Sequence, residues 1–296
     1  VKINNGRLST LFFLPAGLFM LVFLVYPIAM LVKDSFYRID LLNPAAAQFV
    51  GLANYTETIV SPRFLKALWN TVIYIVCAVG AEFLLGLVLA LLLSHAFKGS
   101  QVIRTVLLSP LMIAPLVSGL IWKFMLNDQF GIINSVLYKI GILSDPHQIM
   151  WLSDQRFALY STIIADVWLT TPFMMLVLLA GIQGISKSLY EAADIDGANH
   201  WTKFRYITLP SLVPVAAVAL LIRTIDAART FDIVWVLTQG GPGFSSEVLS
   251  TYMYKTLTRY GQVGQSSAMA VIFIVLLMII SSFFISKIWS SRKSHA

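Results

Sequence analysis

Six apolar runs divide the chain, at about 11–32, 69–94, 104–126, 157–182, 213–237 and 266–289. A helix rises 1.5 Å per residue, so about 20 apolar residues cross the roughly 30 Å hydrocarbon core of a bilayer. Each run therefore predicts one membrane-spanning helix. The ten-residue alternating segments of a membrane barrel are absent, which leaves helices as the spanning structure. The first run is followed by Tyr26-Pro27 and carries no small-residue cleavage site, so it is expected to be a true span. Pro110, Pro115 and Pro172 fall inside runs and are expected to kink their helices, freeing backbone carbonyls.

Composition agrees with this reading. Of 296 residues 58% are hydrophobic and only 12% charged, against about 25% charged in a soluble domain, and the mean hydropathy is +0.79. No segment between the runs is long enough for a soluble domain, so 1–296 reads as a single transmembrane domain. The net charge of +7 lacks any basic tract and does not point to nucleic acid. Lys and Arg flank the runs instead, where they orient a membrane protein. With the N-terminus inside, ten basic residues face three acids in the short connections, and eight face seven in the long ones. The denser positive charge predicts both termini in the cytoplasm, with the 186–210 connection on the same side. Cys77, the sole cysteine, lies in an apolar run; it reads as a packing residue and excludes an intrachain disulfide.

That 186–210 connection is a polar island. Ser188 and Glu191 have capping-box spacing, expected to satisfy amides at a helix start. Leu189, Ala192, Ala193 and Ile195 form a narrow apolar stripe at helical spacing. Gly197 can take a positive backbone angle, ending the helix and turning the chain. Trp201, Phe204, Tyr206 and Ile207 form a second amphipathic stretch leading back to Leu209-Pro210. A hairpin lying on lipid headgroups is the competing reading, but Glu191, Asp194 and Asp196 would be repelled by an anionic surface.

The fifth run carries Arg223, Asp226, Arg229 and Asp232, one every three residues. Each charge near the bilayer centre costs about 2.5–3.5 kcal/mol on insertion scales, so these residues do not face lipid. Opposite charges three apart are helical neighbours and can pair, leaving two readings open: an internal ion-pair ladder, or at least one side chain on a solute path. Other polar groups in the runs are Glu82, Trp122, Lys123, Asp166, Trp168, Thr170 and Thr171. A lone acid such as Glu82 reads as an interhelical partner. Trp168 beside Thr170 and Thr171 offers an aromatic plate with hydroxyls, suited to a sugar.

Glu191-Ala192-Ala193, Asp196-Gly197-Ala198, Leu209-Pro210 and Pro214 together resemble the "EAA" loop of the membrane subunits of ATP-binding-cassette importers. Phe49-Val50-Gly51-Leu52-Ala53-Asn54-Tyr55, Phe130-Gly131-Ile132-Ile133-Asn134 and Thr238-Gln239-Gly240-Gly241-Pro242, in the three long connections, are similar to the carbohydrate branch, and within it to the maltose-type first permease subunit. The resemblance runs from the first helix to the last. It implies an all-α transmembrane fold, a six-helix type I ABC importer permease in a bacterial or archaeal plasma or inner membrane. It implies Glu191, Ala192, Ala193, Asp196, Gly197 and Ala198 as the ATPase-coupling residues. It also places Arg229, Thr230 and Phe231 on the central cavity; Asp226, Trp168 and Thr171 join them as pathway candidates from the polar pattern above.

The partners implied are a second permease subunit, two ATP-binding subunits and an extracytoplasmic solute-binding protein, with a sugar as cargo. ATP and Mg would be bound by the ATPase partners: this chain has no Gly-x-x-x-x-Gly-Lys-Ser/Thr loop. Its histidines, His95, His147, His200 and His295, have no metal-ligand spacing, and no nucleophile-and-base set appears, so no enzyme activity and no metal are expected. Within the class, a non-sugar solute such as glycerol phosphate stays open. An ion-driven carrier is disfavoured by the lack of an inverted repeat.

Overall fold

A computed structural model describes the backbone of residues 5–95 and 97–293, with side chains over 13–95, 97–284 and 286. Lys2, Arg7, Lys287, Arg292 and Lys293, five of the ten basic residues counted above, and His295 lie outside the described side chains. The chain forms two compact units, one of residues up to Leu65 with Tyr252–Leu276, the other of Lys66–Thr251 with the chain from Leu277 on. Among the described residues, five helices are long and apolar enough to cross a bilayer, or six if one sharply bent pair counts as a single span.

The first unit opens with α1 (Asn5–Met20) and α2 (Tyr26–Asp34), joined by a π-helical turn at Leu21–Val25. The window Phe13–Asp34 has no buried residue, as expected of a helix that meets lipid or another subunit. A hairpin then departs from the all-α expectation: β1 (Tyr37–Asp40) pairs antiparallel with β2 (Asn43–Phe49), Tyr37 opposite Phe49 and Asp40 opposite Asn43. Its corner with the following α3 (Ala53–Val60) is fixed by the buried Asn54, whose Nδ2 donates to Ser35 O at 2.8 Å and to Tyr37 O at 2.9 Å. Tyr55 OH lies 2.6 Å from Ser35 Oγ. The "VGLANY" motif is thus a structural clamp. Leu41 N–H donates to Gly261 O at 2.7 Å. A Cβ on Gly264 would lie 1.8 Å from Tyr37 O, so only glycine permits that approach.

The second unit holds most of α4 (Pro62–Ser94), then α5 (Ser100–Leu108), α6 (Pro115–Met125), α7 (Ile132–Lys139) and α8 (Ala158–Gln183). Beyond these come α9 (Lys187–Ile195), α10 (His200–Lys203), α11 (Leu209–Ala228) and α12 (Asp232–Leu237); of α13 (Leu249–Thr258) and α14 (Val263–Lys293), the residues from Tyr252 to Leu276 belong to the first unit. Tyr74, Ala78 and Val79 of α4 share a buried cluster with Leu159 and Ile163 of α8, Ala227 of α11 and Val234 of α12; half-buried Cys77 packs against it. A second cluster joins Ala90 and Leu93 to Met174, Met175 and Leu178, and to Ala216 and Ala219. In a bilayer such contacts are held by packing, and the alanines let helix backbones come close.

Two runs read as single helices are interrupted. The 104–126 run is a pair, Ser100–Met112 and Pro115–Met125, bent by 100°. Pro110 lies in a 3-10 turn and Pro115 starts the next helix, where its missing N–H costs nothing. The 213–237 run breaks at 229–231, between α11 and α12. Pro172, expected to kink its helix, sits inside an unbroken α8. The long connections are ordered by their own polar residues: Asn134 Nδ2 donates to Ile149 O at 2.8 Å, and its Oδ1 accepts from Trp151 Nε1 at 2.6 Å. Nearby, Arg156 donates to the Asp154 carboxylate at 2.7 Å and holds that carboxyl below its usual range.

Candidate functional site

The polar island folds as a helical hairpin. Ser186, extended at φ −60 and ψ 131, is the residue before α9, and no side chain caps the helix there. Ser188 is already inside α9 and its Oγ lies 2.7 Å from Ser186 Oγ, so the expected Ser188–Glu191 capping box does not form. The stop does follow expectation. Gly197 has φ +73, its N–H donates to Asp194 O at 3.1 Å, and Ala198 N–H donates to Ala193 O at 2.9 Å. These two bonds are the Schellman pair that closes a helix on a left-handed residue. A Cβ at Gly197 would meet nothing within 4 Å, so the demand for glycine is purely conformational.

The chain restarts at once. Asn199 Oδ1 accepts from Thr202 N–H at 2.8 Å and caps α10. A π-helical turn, Phe204–Thr208, then delivers the backbone into α11. Two side-chain ties close the hairpin on itself: Lys203 pairs with Asp194, and Tyr190 OH lies 2.9 Å from Thr208 Oγ1, at the root of α11. The tip faces outward. Glu191, Ala192, Asp196 and Gly197 are exposed, Ala193 and Ala198 half-buried, and the stripe residues Leu189 and Ile195 are 49% and 88% exposed. The ordered hairpin thus leaves a leucine and an isoleucine exposed beside three acids.

The charged helix divides in two. Arg223 is buried, and it does not pair with its neighbour Asp226. Its guanidinium donates to both carboxylate oxygens of Glu82 on α4, at 2.6 and 2.7 Å, and to Asp166 on α8 at 3.1 Å. Glu82 is thus an interhelical partner, as expected. Six residues on, Arg229 donates to Asp226 at 2.5 Å, with side chains 68% and 37% exposed. Here the ladder reading holds for one rung. Asp232 begins α12, where a carboxylate suits the helix dipole.

The remaining pathway candidates are spread around that break. Thr230 lies in the interruption, its Oγ1 3.4 Å from Tyr74 OH, and its carbonyl accepts from Ser250 Oγ. Phe231 stacks on Trp235 with ring centres 5.5 Å apart. Trp168 is half-exposed and meets Trp122 edge-on at 6.0 Å. Thr171 is buried, and the hydroxyls of Thr170 and Thr171 each donate at 2.6 Å to a carbonyl one turn back in α8, so neither stands free beside the Trp168 ring. The structure brings Asp226, Arg229, Thr230 and Phe231 together by chain proximity, with Trp168 and Thr171 on another helix. Residues that sequence reasoning did not single out are Tyr74, Tyr190 and Thr208; each carries a polar atom whose partner is far along the chain. Among the described residues, no three His, Cys, Asp or Glu side chains converge as metal ligands.

Comparison with known proteins adds the following. The family described as "Binding-protein-dependent transport system inner membrane component" matches residues 82–295. The sulfoquinovosyl glycerol transport system permease protein SmoG of Agrobacterium fabrum is 36% identical over 96% of this chain and 91% of its own length. The trehalose/maltose transport system permease protein MalF of Thermococcus litoralis is 38% identical, over 94% of this chain and 92% of its own. Among solved structures, a bacterial alginate ABC transporter in complex with an alginate pentasaccharide-bound periplasmic protein has a chain similar in fold, with a TM-score of 0.81 at 24% identity over 96% of this chain and 94% of that one.

Proposed function

The chain belongs to the family of inner-membrane components of binding-protein-dependent transport systems, and from that premise we propose that it is one permease subunit of an ATP-driven sugar importer. The observation that carries the reading is the hairpin: a short helix stopped by Gly197, with an exposed apolar stripe and acids at its tip, tied through Tyr190 and Thr208 to the root of a spanning helix. Such a lever transmits a push at its tip into rotation of α11. The transport of sugars and glycosides by the two relatives above supports a sugar as cargo.

In this account Glu191, Ala192, Ala193, Asp196, Gly197 and Ala198 dock on an ATP-binding subunit at the cytoplasmic face. A second permease completes the pore and buries the exposed face of α1 and α2, two ATPase subunits supply the ATP and Mg chemistry, and an extracytoplasmic binding protein delivers the sugar. The whole chain acts as one permease domain with both termini in the cytoplasm. The pore works by alternating access: ATP binding closes the ATPases, the hairpins move, and the cavity opens outward. Asp226, Arg229, Thr230, Phe231, Trp168 and Thr171 lie along the sugar's path.

Reconstituting the four components in vesicles tests this. Hydrolysis of ATP is expected to rise when sugar-loaded binding protein is added, with sugar accumulating in step. Hydrolysis that ignores the loaded binding protein would reject the reading. Orientation has its own test in intact cells. With Cys77 replaced by Ala, a cysteine introduced by Gly243→Cys reacts with an impermeant thiol reagent from outside, and one introduced by Asn199→Cys does not.

A further inference from the structure

Where α4 ends, a groove of about 840 Å³ opens between its last turns, the end of α8 and the hairpin. Its volume lies in the usual range for a small-molecule site. The two halves of the lining differ in chemistry. Leu87, Val88 and Leu91 of α4, with Ile182 of α8, make an apolar floor. His95, Lys187, His200 and Trp201 make the rim, and no Asp or Glu lines the groove at all. Lys203 also borders it but is committed to Asp194, whereas Lys187 and His200 have exposed side chains with no ion pair among the described residues. From Leu87 to His95 the helix rises about 12 Å, from the leucines of the floor to a polar rim.

We propose that this groove binds one anionic phospholipid, its phosphate at Lys187 and His200 and the upper part of an acyl chain along Leu87, Val88 and Leu91. The occupant is set by the lining. An apolar floor at the end of spanning helices suits a chain still in the bilayer. A rim with one unpaired lysine, Lys187, and no acid favours a headgroup of net negative charge over a zwitterionic one. Trp201, 67% exposed beside the rim, is the residue type that settles at the membrane–water boundary, and the acids of the hairpin tip that oppose an anionic surface, Glu191, Asp194 and Asp196, do not line the groove. Because the hairpin forms one wall, a bound lipid would brace it against α4. The site goes beyond the proposed transport function and needs only that the helices lie in a membrane.

Native mass spectrometry of the delipidated complex, purified with its partner subunits, tests this by titration with phosphatidylglycerol and with phosphatidylcholine. One phosphatidylglycerol is expected to be retained at least about fivefold more tightly than phosphatidylcholine, the preference expected from one surface cation. Lys187→Ala combined with His200→Ala is expected to erase that preference. Leu91→Trp, which fills the floor, is expected to weaken both lipids. Both altered basic residues are exposed, so the double variant is expected to fold. Equal retention of the two lipids, or retention unchanged in the variants, overturns the proposal. Displacement of phosphatidylglycerol by millimolar inorganic phosphate overturns it in favour of a free-phosphate site. Loss of an ATPase subunit with lipid retained overturns it in favour of a protein contact. Transport is not the readout, so a failure here leaves the importer reading untouched, and the reverse.

Discussion

Arg223 and Arg229 stand on the same stretch of chain, in the same three-residue rhythm of charge, yet the fold treats them oppositely. Arg223 is closed off by two acids, 141 and 57 positions away in sequence, on two other helices. Among the described residues Arg229 is held only by Asp226, one turn back, and most of its side chain is exposed. Burial with long-range partners makes the first a fastener between helices. Exposure with a local partner is what the sugar contact proposed for Arg229 requires. A periodic run of charges is therefore not one feature, and the change falls within the last turns of α11, between Arg223 and Asp226.

The comparison is most forcefully broken at the buried end. Arg223→Met strands the carboxylates of Glu82 and Asp166 inside the helix bundle at a cost of about 3–5 kcal/mol. The variant is expected to abolish the assembled complex, read as its yield from membranes. Replacing all three groups together, by Arg223→Met, Glu82→Gln and Asp166→Asn, removes the stranded charge and is expected to restore much of that yield. A single variant as stable as the wild type would mean the cluster is not closed.

At the exposed end the same kind of change has a smaller reach. Pairs in water contribute about 0–1 kcal/mol, so Arg229→Ala and Thr230→Ala are expected to assemble with the ATPases and keep basal hydrolysis, while sugar uptake falls more than tenfold. The sharpening case is Asp226→Asn with Arg229→Gln. If that neutral pair recovers uptake lost in the single variants, the two residues are only an ion pair and the pathway assignment fails. A weaker effect is expected at the hairpin's tie. Tyr190→Phe removes one hydrogen bond, about 1 kcal/mol, and is expected to lower uptake severalfold with hydrolysis continuing, read as sugar moved per ATP. Unchanged stoichiometry would show that the Tyr190–Thr208 contact transmits nothing.

Local rules were the readable part of this fold. Apolar run length located the spans, and the glycine at 197 announced a helix stop that the backbone then shows at φ +73. The β2 strand was invisible because Asn43-Pro-Ala-Ala-Ala-Gln-Phe lacks alternation and β-branched residues; its pairing with β1 is a backbone matter. Pro110 and Pro115 flagged the break in the third run, but a continuous apolar composition carries no trace of a 100° bend. The hairpin was legible as a candidate site because its residues are consecutive. Glu82, Asp166 and Arg223 were each visible as polar residues in apolar runs, and only folding shows that they belong to one another.

Coupling through the 186–210 hairpin is the central claim, and ATP-driven sugar uptake by Glu191→Lys and Gly197→Val complexes tests it most directly. The lysine reverses charge at the docking tip. The valine opposes a left-handed backbone that costs a non-glycine residue about 1–2 kcal/mol, and more with a branched Cβ. Both complexes are expected to insert and be recovered from membranes at normal levels, with uptake abolished. Wild-type uptake by both, at normal levels of protein, would contradict the account.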